Sequence, residues 1–205
     1  SILSIAAIQF DELYKYDMVV QLKKDIQQGQ NNPVIDIVST DSRITDYMLI
    51  KEQSIDIGSG DTEKSVYLIV PESTRRLEEF IDFRIRGSKE KVPFTETGVI
   101  LSEKLAKQLQ TSVGEEIYIK GEGDKKIKVK VDGITEHYIS HYIYMSPALY
   151  QKVFGKEVQF RQIMAKTTDT SEAFENKLSS DLLKNKEVSI FISARSSILI
   201  VFVLV

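Results

Sequence analysis

The sequence contains no cysteine, no tryptophan and only 2 histidines in 205 residues. Without cysteine there is no disulfide frame, no thiolate metal site and no cysteine nucleophile. This fits an oxidising exterior but does not fix a compartment. A basic excess is lacking too: 27 Lys and Arg stand against 30 Asp and Glu, a formal charge of −3. Phosphate neutralisation has no source, so nucleic acid is not an expected partner. No G-x-x-x-x-G-K-[ST] phosphate loop occurs, so ATP hydrolysis is not expected within this chain. The first residues, Ser1 to Ile8, are apolar but carry neither a basic leader nor a clear cleavage site.

What is present is a composition with a real core, 42% hydrophobic and 28% charged. The length allows one large domain or two small ones. Ile198 to Val205, ILIVFVLV, is uninterrupted apolar sequence. A helix crossing a bilayer needs about 20 such residues. The run therefore has two readings. One is a buried strand, from its β-branched content. The other is the beginning of a membrane helix, favoured by the apolar character of residues 1–14 as well.

Local patterning predicts a helical face from Ile2, Ile5, Ala6, Phe10 and Leu13. Strand-like runs follow at 16–22, 33–40 and 47–57. The turn signal Gly58-Ser59-Gly60-Asp61 makes 54–70 a hairpin. Ser73 to Phe83 predicts a short helix with Leu77, Phe80 and Ile81 inward. Gly98 to Leu101 is a short strand. Ser102 is then a candidate N-cap, its hydroxyl taking an orphan N–H of a helix over 103–110. Strands are expected at 117–119 and 126–134, and again from Gly133 on to Met145. The row Lys126, Lys128, Lys130 is read as a solvated face that also guards a sheet edge. Ser146-Pro147 opens a helix that Gly155 ends. Strand, helix and strand over 159–192 suggest a split βαβ unit, with Ala173, Phe174, Leu178 and Leu182 as the inward face of its helix. The fold class expected is α+β, a split α/β lobe interrupted by a β-rich insertion.

The stretch Gly98-Val99-Ile100-Leu101-Ser102-Glu103-Lys104-Leu105-Ala106-Lys107-Gln108-Leu109, then Val113-Gly114-Glu115 and Ile117-Tyr118-Ile119, resembles a segment of MacB/FtsX-like ABC-transporter permeases. Val129 to Ile134 and His141-Tyr142-Ile143-Tyr144-Met145-Ser146-Pro147 are similar to the same family, the Firmicutes type best. Phe10 to Val20 is a weaker match, where such a domain leaves its first membrane helix. The resemblance implies a porter-like lobe over 15–72 and 156–193 and a sabre-like β-rich lobe over 73–155. Residues 1–14 and 194–205 would adjoin membrane helices. It further implies a domain at the extracellular side of the cell membrane, worked by a cytoplasmic ATPase through those helices. The permeases would form a dimer, and the domain would meet an extracellular peptide or protein partner.

His137-Tyr138-Ile139-Ser140-His141-Tyr142 is the one cluster that invites a catalytic reading. On a strand, His137 and His141 share a face but stand about 13 Å apart, too far to share a metal. A hydrolase using Ser140 with His137 or His141 lacks a nucleophile-elbow pattern. No catalytic, cofactor or metal residue is therefore assigned. Tyr138, His141, Tyr142 and Tyr144 are instead a candidate partner-binding surface, with strand alternation expected to turn half of the tyrosines inward. Glu78, Glu79 and Asp82 are read as surface solvation, and Arg75, Arg76, Arg84 and Arg86 as a salt-bridged basic cluster. The functional expectation is a non-catalytic coupling domain of a permease. A free-standing secreted binding domain and a hydrolase using His137 or His141 are the alternatives.

Overall fold

The computed structural model describes residues 5, 8–139 and 141–195. The apolar run Ile198–Val205 and most of the amino-terminal apolar stretch lie outside them. Among the described residues no helix is long and apolar enough to cross a membrane. The chain divides into two compact units. One is Lys51–Val158, and the other combines the described parts of 2–50 and 159–205. Strand β2 (Ile44–Ser59) supplies its first half to the second of these units and its last half to the first.

The discontinuous unit starts with a π-helical turn, Ile8–Leu13, in which the Tyr14 amide donates to Gln9 O at 2.9 Å. Phe10 and Leu13 are buried in it, as their spacing predicts. Strands β1 (Met18–Leu22), β8 (Gln162–Thr167) and β9 (Val188–Ser193) join the first half of β2 in the order β2-β8-β1-β9. β1 is antiparallel to both β8 and β9. Those two strands are therefore parallel with β1 between them, the split βαβ arrangement. Helix α5 (Glu172–Leu183) connects them and packs on β9. Its buried stripe is Leu178 and Leu182, while Ala173, expected inward, is exposed.

Residues 33–40, expected as strand, form helix α1 (Pro33–Thr40). β-branched residues bias this run toward a strand, but its ends decide the matter. The Asn32 side chain accepts the amides of Val34 and Ile35, and Pro33 occupies the first turn, where its missing N–H costs nothing. Just beyond α1, Arg43 bridges Asp41 at 2.7 Å and Asp181 of α5 at 2.9 Å. Arg43 and Lys177 hold the Asp181 carboxyl down at about 2.

In the continuous unit, β2 pairs with β3 (Thr62–Pro71) as a hairpin. Strand β3 runs parallel to β7 (Tyr142–Tyr144), and β7 is antiparallel to β4 (Gly98–Ser102). Then β4 runs parallel to β6 (Lys126–Thr135), β6 is antiparallel to β5 (Glu116–Lys120), and β5 returns to β2 through Ile57↔Ile119. The hydrogen-bonded circuit β2-β3-β7-β4-β6-β5 thus closes on itself. Directly paired residues share a face, so Ile57, Ile119, Val131, Leu101, Ile143 and Leu68 line one continuous interior, each 0% exposed. Burying each such side chain contributes roughly 1.5–3 kcal/mol.

Three expectations are corrected here. The row Lys126, Lys128, Lys130 is solvated as expected, but β6 is paired on both sides and guards no edge. The segment 73–83 makes only one helical turn, α2 (Thr74–Leu77). Phe80, Ile81 and Phe83 are all buried, on more than one side of the chain, which a single helical stripe cannot satisfy. Ser102 does head a helix, α3 (Glu103–Leu109), but its hydroxyl makes no cap bond and instead accepts the Tyr142 amide at 3.4 Å. By contrast Ser146 caps α4 (Pro147–Phe154) through the Leu149 amide at 3.0 Å, and Gly155 ends it at φ +70°.

Gly133 marks a close approach. A Cβ there would lie 2.3 Å from Val92 Cγ1 and 3.3 Å from Ile100 Cγ1. Gly133→Ala is expected to lower unfolding stability by about 1–3 kcal/mol, and adding Val92→Ala is expected to recover part of that loss relative to Val92→Ala alone. Urea denaturation of the four proteins of this cycle measures the coupling.

Candidate functional site

The outer side of the closed circuit is not left to solvent where β3, β7 and β4 meet. The register Tyr67↔Tyr142 and Ile69↔Tyr144↔Ile100 puts these residues on one outward face. Ile69, Tyr144 and Ile100 are nevertheless buried, at 4%, 1% and 0% exposure. Two connecting segments meet them. Phe83 lies edge-on to Tyr144, centroids 4.9 Å apart, and Phe94 lies 5.8 Å from Phe83. His137 lies 5.0 Å from Tyr142. The expected continuous strand from Gly133 to Met145 is thereby broken: β6 ends at Thr135 and β7 begins at Tyr142. Residues 136–139 and His141 leave the strand course between them.

A polar network fastens these two segments together. The buried Arg84 guanidinium donates to Glu136 at 2.7 Å. The backbone around it is joined as well, since the Glu136 amide donates to Arg84 O at 2.8 Å and the Arg84 amide to Thr135 Oγ1 at 3.1 Å. Burial alone would raise the Glu136 pKa, but the Tyr138 hydroxyl and the Arg84 guanidinium outweigh it and hold the carboxyl below its ordinary range. Arg86 completes the network, stacked 4.2 Å over the Tyr138 ring and hydrogen-bonded to the Tyr138 hydroxyl and to Glu103 of α3. The salt-bridged basic cluster expected near 75–86 is realised at Arg76, Arg84 and Arg86.

The four residues singled out from sequence therefore separate. Tyr144 is core, which corrects its place on the candidate surface: it pairs across two strands and Phe83 closes over it. Tyr138 is held by Arg86 and Glu136. Tyr142 and His141 remain at the boundary, both half-buried. The residue missed is Tyr67, 45% exposed, its ring 5.6 Å from that of Tyr142. The outward parity of 65 and 67 in the hairpin was its only sequence signal.

The histidines are placed for packing. His137 is 5% exposed, and burial depresses its pKa to about 4. His141 is lowered by burial and by the charges of Lys104 and Lys64. Ser140, the nucleophile of the hydrolase alternative, lies outside the described residues. Among the described residues no three His, Asp or Glu side chains group as a metal site.

The neutral form of His137 is favoured in the folded state. Between its ordinary value of about 6.5 and its folded value of about 4, the unfolded chain binds more protons, so stability falls as pH drops. The loss from this residue is about 3 kcal/mol in all. It is complete below the lower value and absent above the upper one. Urea denaturation between pH 7 and pH 4 is expected to show a shallower decline in His137→Phe than in the native protein. Glu136→Ala, which strands Arg84 in a buried site, is expected to cost about 3–5 kcal/mol at neutral pH, again read by denaturation.

No protein-family model and no curated protein sequence matches the chain. Solved structures do resemble it. The periplasmic region of MacB from Actinobacillus actinomycetemcomitans aligns over 98% of this chain and 98% of its own, with TM-score 0.52 and 13% identity. The extracellular domain of YknZ, a noncanonic ABC-type transporter from Gram-positive bacteria, aligns over 85% of this chain and 98% of its own, with TM-score 0.47 and 15% identity. The α+β class expected from sequence is the one found, and the chain has the fold of a permease domain of this kind, that of the periplasmic region of MacB.

Proposed function

We propose that this chain is a non-catalytic extracytoplasmic domain of an ABC-transporter permease, which passes ATP-driven movement of membrane helices to a partner outside the membrane. Its ATPase is a separate cytoplasmic subunit or domain, and the permease works as a dimer. The observation that carries the reading is a clasp. The Ala194 amide donates to Asp17 O at 2.9 Å. Arg195 bridges Asp17 at 3.1 Å and Asp11 at 3.7 Å. Asp17 also accepts the Thr167 amide at 2.8 Å. The stretch entering β1 and the stretch leaving β9 are thus fastened side by side. A domain inserted between two neighbouring membrane helices needs this, because movement of either tether then reaches the same sheet.

The rest of the surface fits a binding role. Tyr142, His141 and Tyr67 present aromatic area on rigid strands, and the network of Arg84, Glu136, Tyr138 and Arg86 fixes the segment beside them. Nucleotide state alters partner affinity only if the partner's contact free energy differs between the two states. The transported or sensed cargo is a peptide, a lipoprotein or a cell-wall enzyme, the three classes that the resemblance suggests.

The full-length protein is expected to stay in the membrane fraction after an alkaline wash, and its release would overturn the reading. In proteoliposomes with the cognate ATPase, a fluorophore on the exposed face of β3 is expected to respond to nucleotide added on the cytoplasmic side. Asp17→Ala combined with Arg195→Ala is expected to reduce that response severalfold while basal ATP hydrolysis persists. A native protein whose label ignores nucleotide would also sink the proposal.

A further inference from the structure

The aromatic boundary surface of the closed circuit carries a charge signature that specifies its partner. Tyr67 of β3 is the exposed member, with 45% of its surface open, and its ring leans on Tyr142 at 5.6 Å. The Tyr67 amide donates to His141 O at 2.9 Å, so His141 is pinned beside the pair. The His141 Nδ1 is buried and has no hydrogen-bond partner among the described residues. A ligand group that supplied one would relieve a group left short of its bonding capacity.

The charges acting on His141 are both positive, Lys104 of α3 and Lys64 of β3. Neither lysine has an ion pair among the described residues. Lys104 is exposed and Lys64 half-buried. The carboxylate next to Lys104 in sequence, Glu103, is already taken up by Arg86. Glu52 of β2 is the acidic neighbour that acts on Tyr142. The platform is therefore two tyrosine rings and an imidazole, flanked by two cations without counter-charges. Rings of this kind offer broad apolar contact with little loss of conformational freedom, and flanking charge selects the sign of what lands there.

We infer that Tyr67, Tyr142 and His141, with Lys64 and Lys104, form the docking platform for an acidic segment of an extracytoplasmic protein. Carboxylates of that segment meet the two lysines, and an aromatic or aliphatic side chain between them lies on the rings. This rests on the proposed role as a coupling domain and names the chemistry of its partner. It disfavours cationic peptides at this surface, since Lys64 and Lys104 repel them.

The test uses the chain itself with a fluorescently labelled peptide of alternating glutamate and phenylalanine, read by anisotropy. Saturable binding is expected, about tenfold weaker with Tyr67→Ala and about tenfold weaker with Lys64→Glu combined with Lys104→Glu. It should also weaken as salt shortens the screening length. A peptide of alternating lysine and phenylalanine is expected not to bind the native chain and to gain affinity for the charge-reversed variant. Equal binding of both peptides, or no effect of either substitution, overturns the inference. So does tighter binding of vesicles rich in phosphatidylglycerol that displaces the acidic peptide, which would make the surface a lipid reader. If the peptide fails while the nucleotide response of the full-length protein persists, the partner chemistry falls and the coupling role stands.

Discussion

The outward face of β3, β7 and β4 cannot be left in water. Ile69, Tyr144 and Ile100 are as buried as the interior of the circuit, although they point away from it. Two connecting segments therefore have to lie over that face, and a connecting segment brings unsatisfied backbone and polar side chains with it. The Arg84–Glu136 pair resolves the conflict. It joins the two covers to each other, satisfies both charges in one contact, and is backed by backbone bonds on either side. Replacing such a pair with apolar groups is often neutral in stability, so its retention points to geometric specification. Here the geometry specified is the course of residues 136–141, which brings His137 under Tyr142 and His141 beside Tyr67.

Much of the fold is legible in the sequence because local signals and burial agree. The alternation of Ile127, Val129 and Val131 gives β6, Ser146-Pro147 and Gly155 bracket α4, and Leu178 with Leu182 marks the inward stripe of α5. The failures share one cause. At 33–40 the side chains favour a strand while Asn32 and Pro33 favour a helix, and only the end groups distinguish the two. At 73–83 the apolar spacing suits a helical face, but packing on several sides of the chain demands an extended course. Ser102 has the residue type of a cap, yet the nearest donor in space is the Tyr142 amide from 40 residues away. Closure of the circuit rests on the short pairing of β2 with β5, which no local pattern announces.

The candidate surface shows the same division. Its location near 138–144 could be read from the density of aromatic residues. Which rings are available could not, because that depends on the covers. Tyr144 has the same strand parity as Tyr142, so alternation alone cannot separate them. Phe83, distant in sequence, buries one and leaves the other at the boundary. Tyr67 is drawn in by the parallel pairing of β3 with β7, a long-range contact.

The size of the surface suits a coupling domain better than it suits a tight receptor. Aromatic contacts of this kind contribute about 0.5–1.5 kcal/mol each beyond their burial, and exposed charge pairs about 0–1 kcal/mol. Two rings and two lysines supply a few kcal/mol at most, enough for a weak contact. That is the range in which a coupling free energy of about 1–3 kcal/mol changes occupancy decisively. A much tighter contact would stay occupied in every nucleotide state and transmit nothing. The fastening of residues 11–17 to 194–195 sits at the other end of the same logic. It makes a movement of the tethers felt by the sheet, while the partner surface is kept weak enough for that movement to matter.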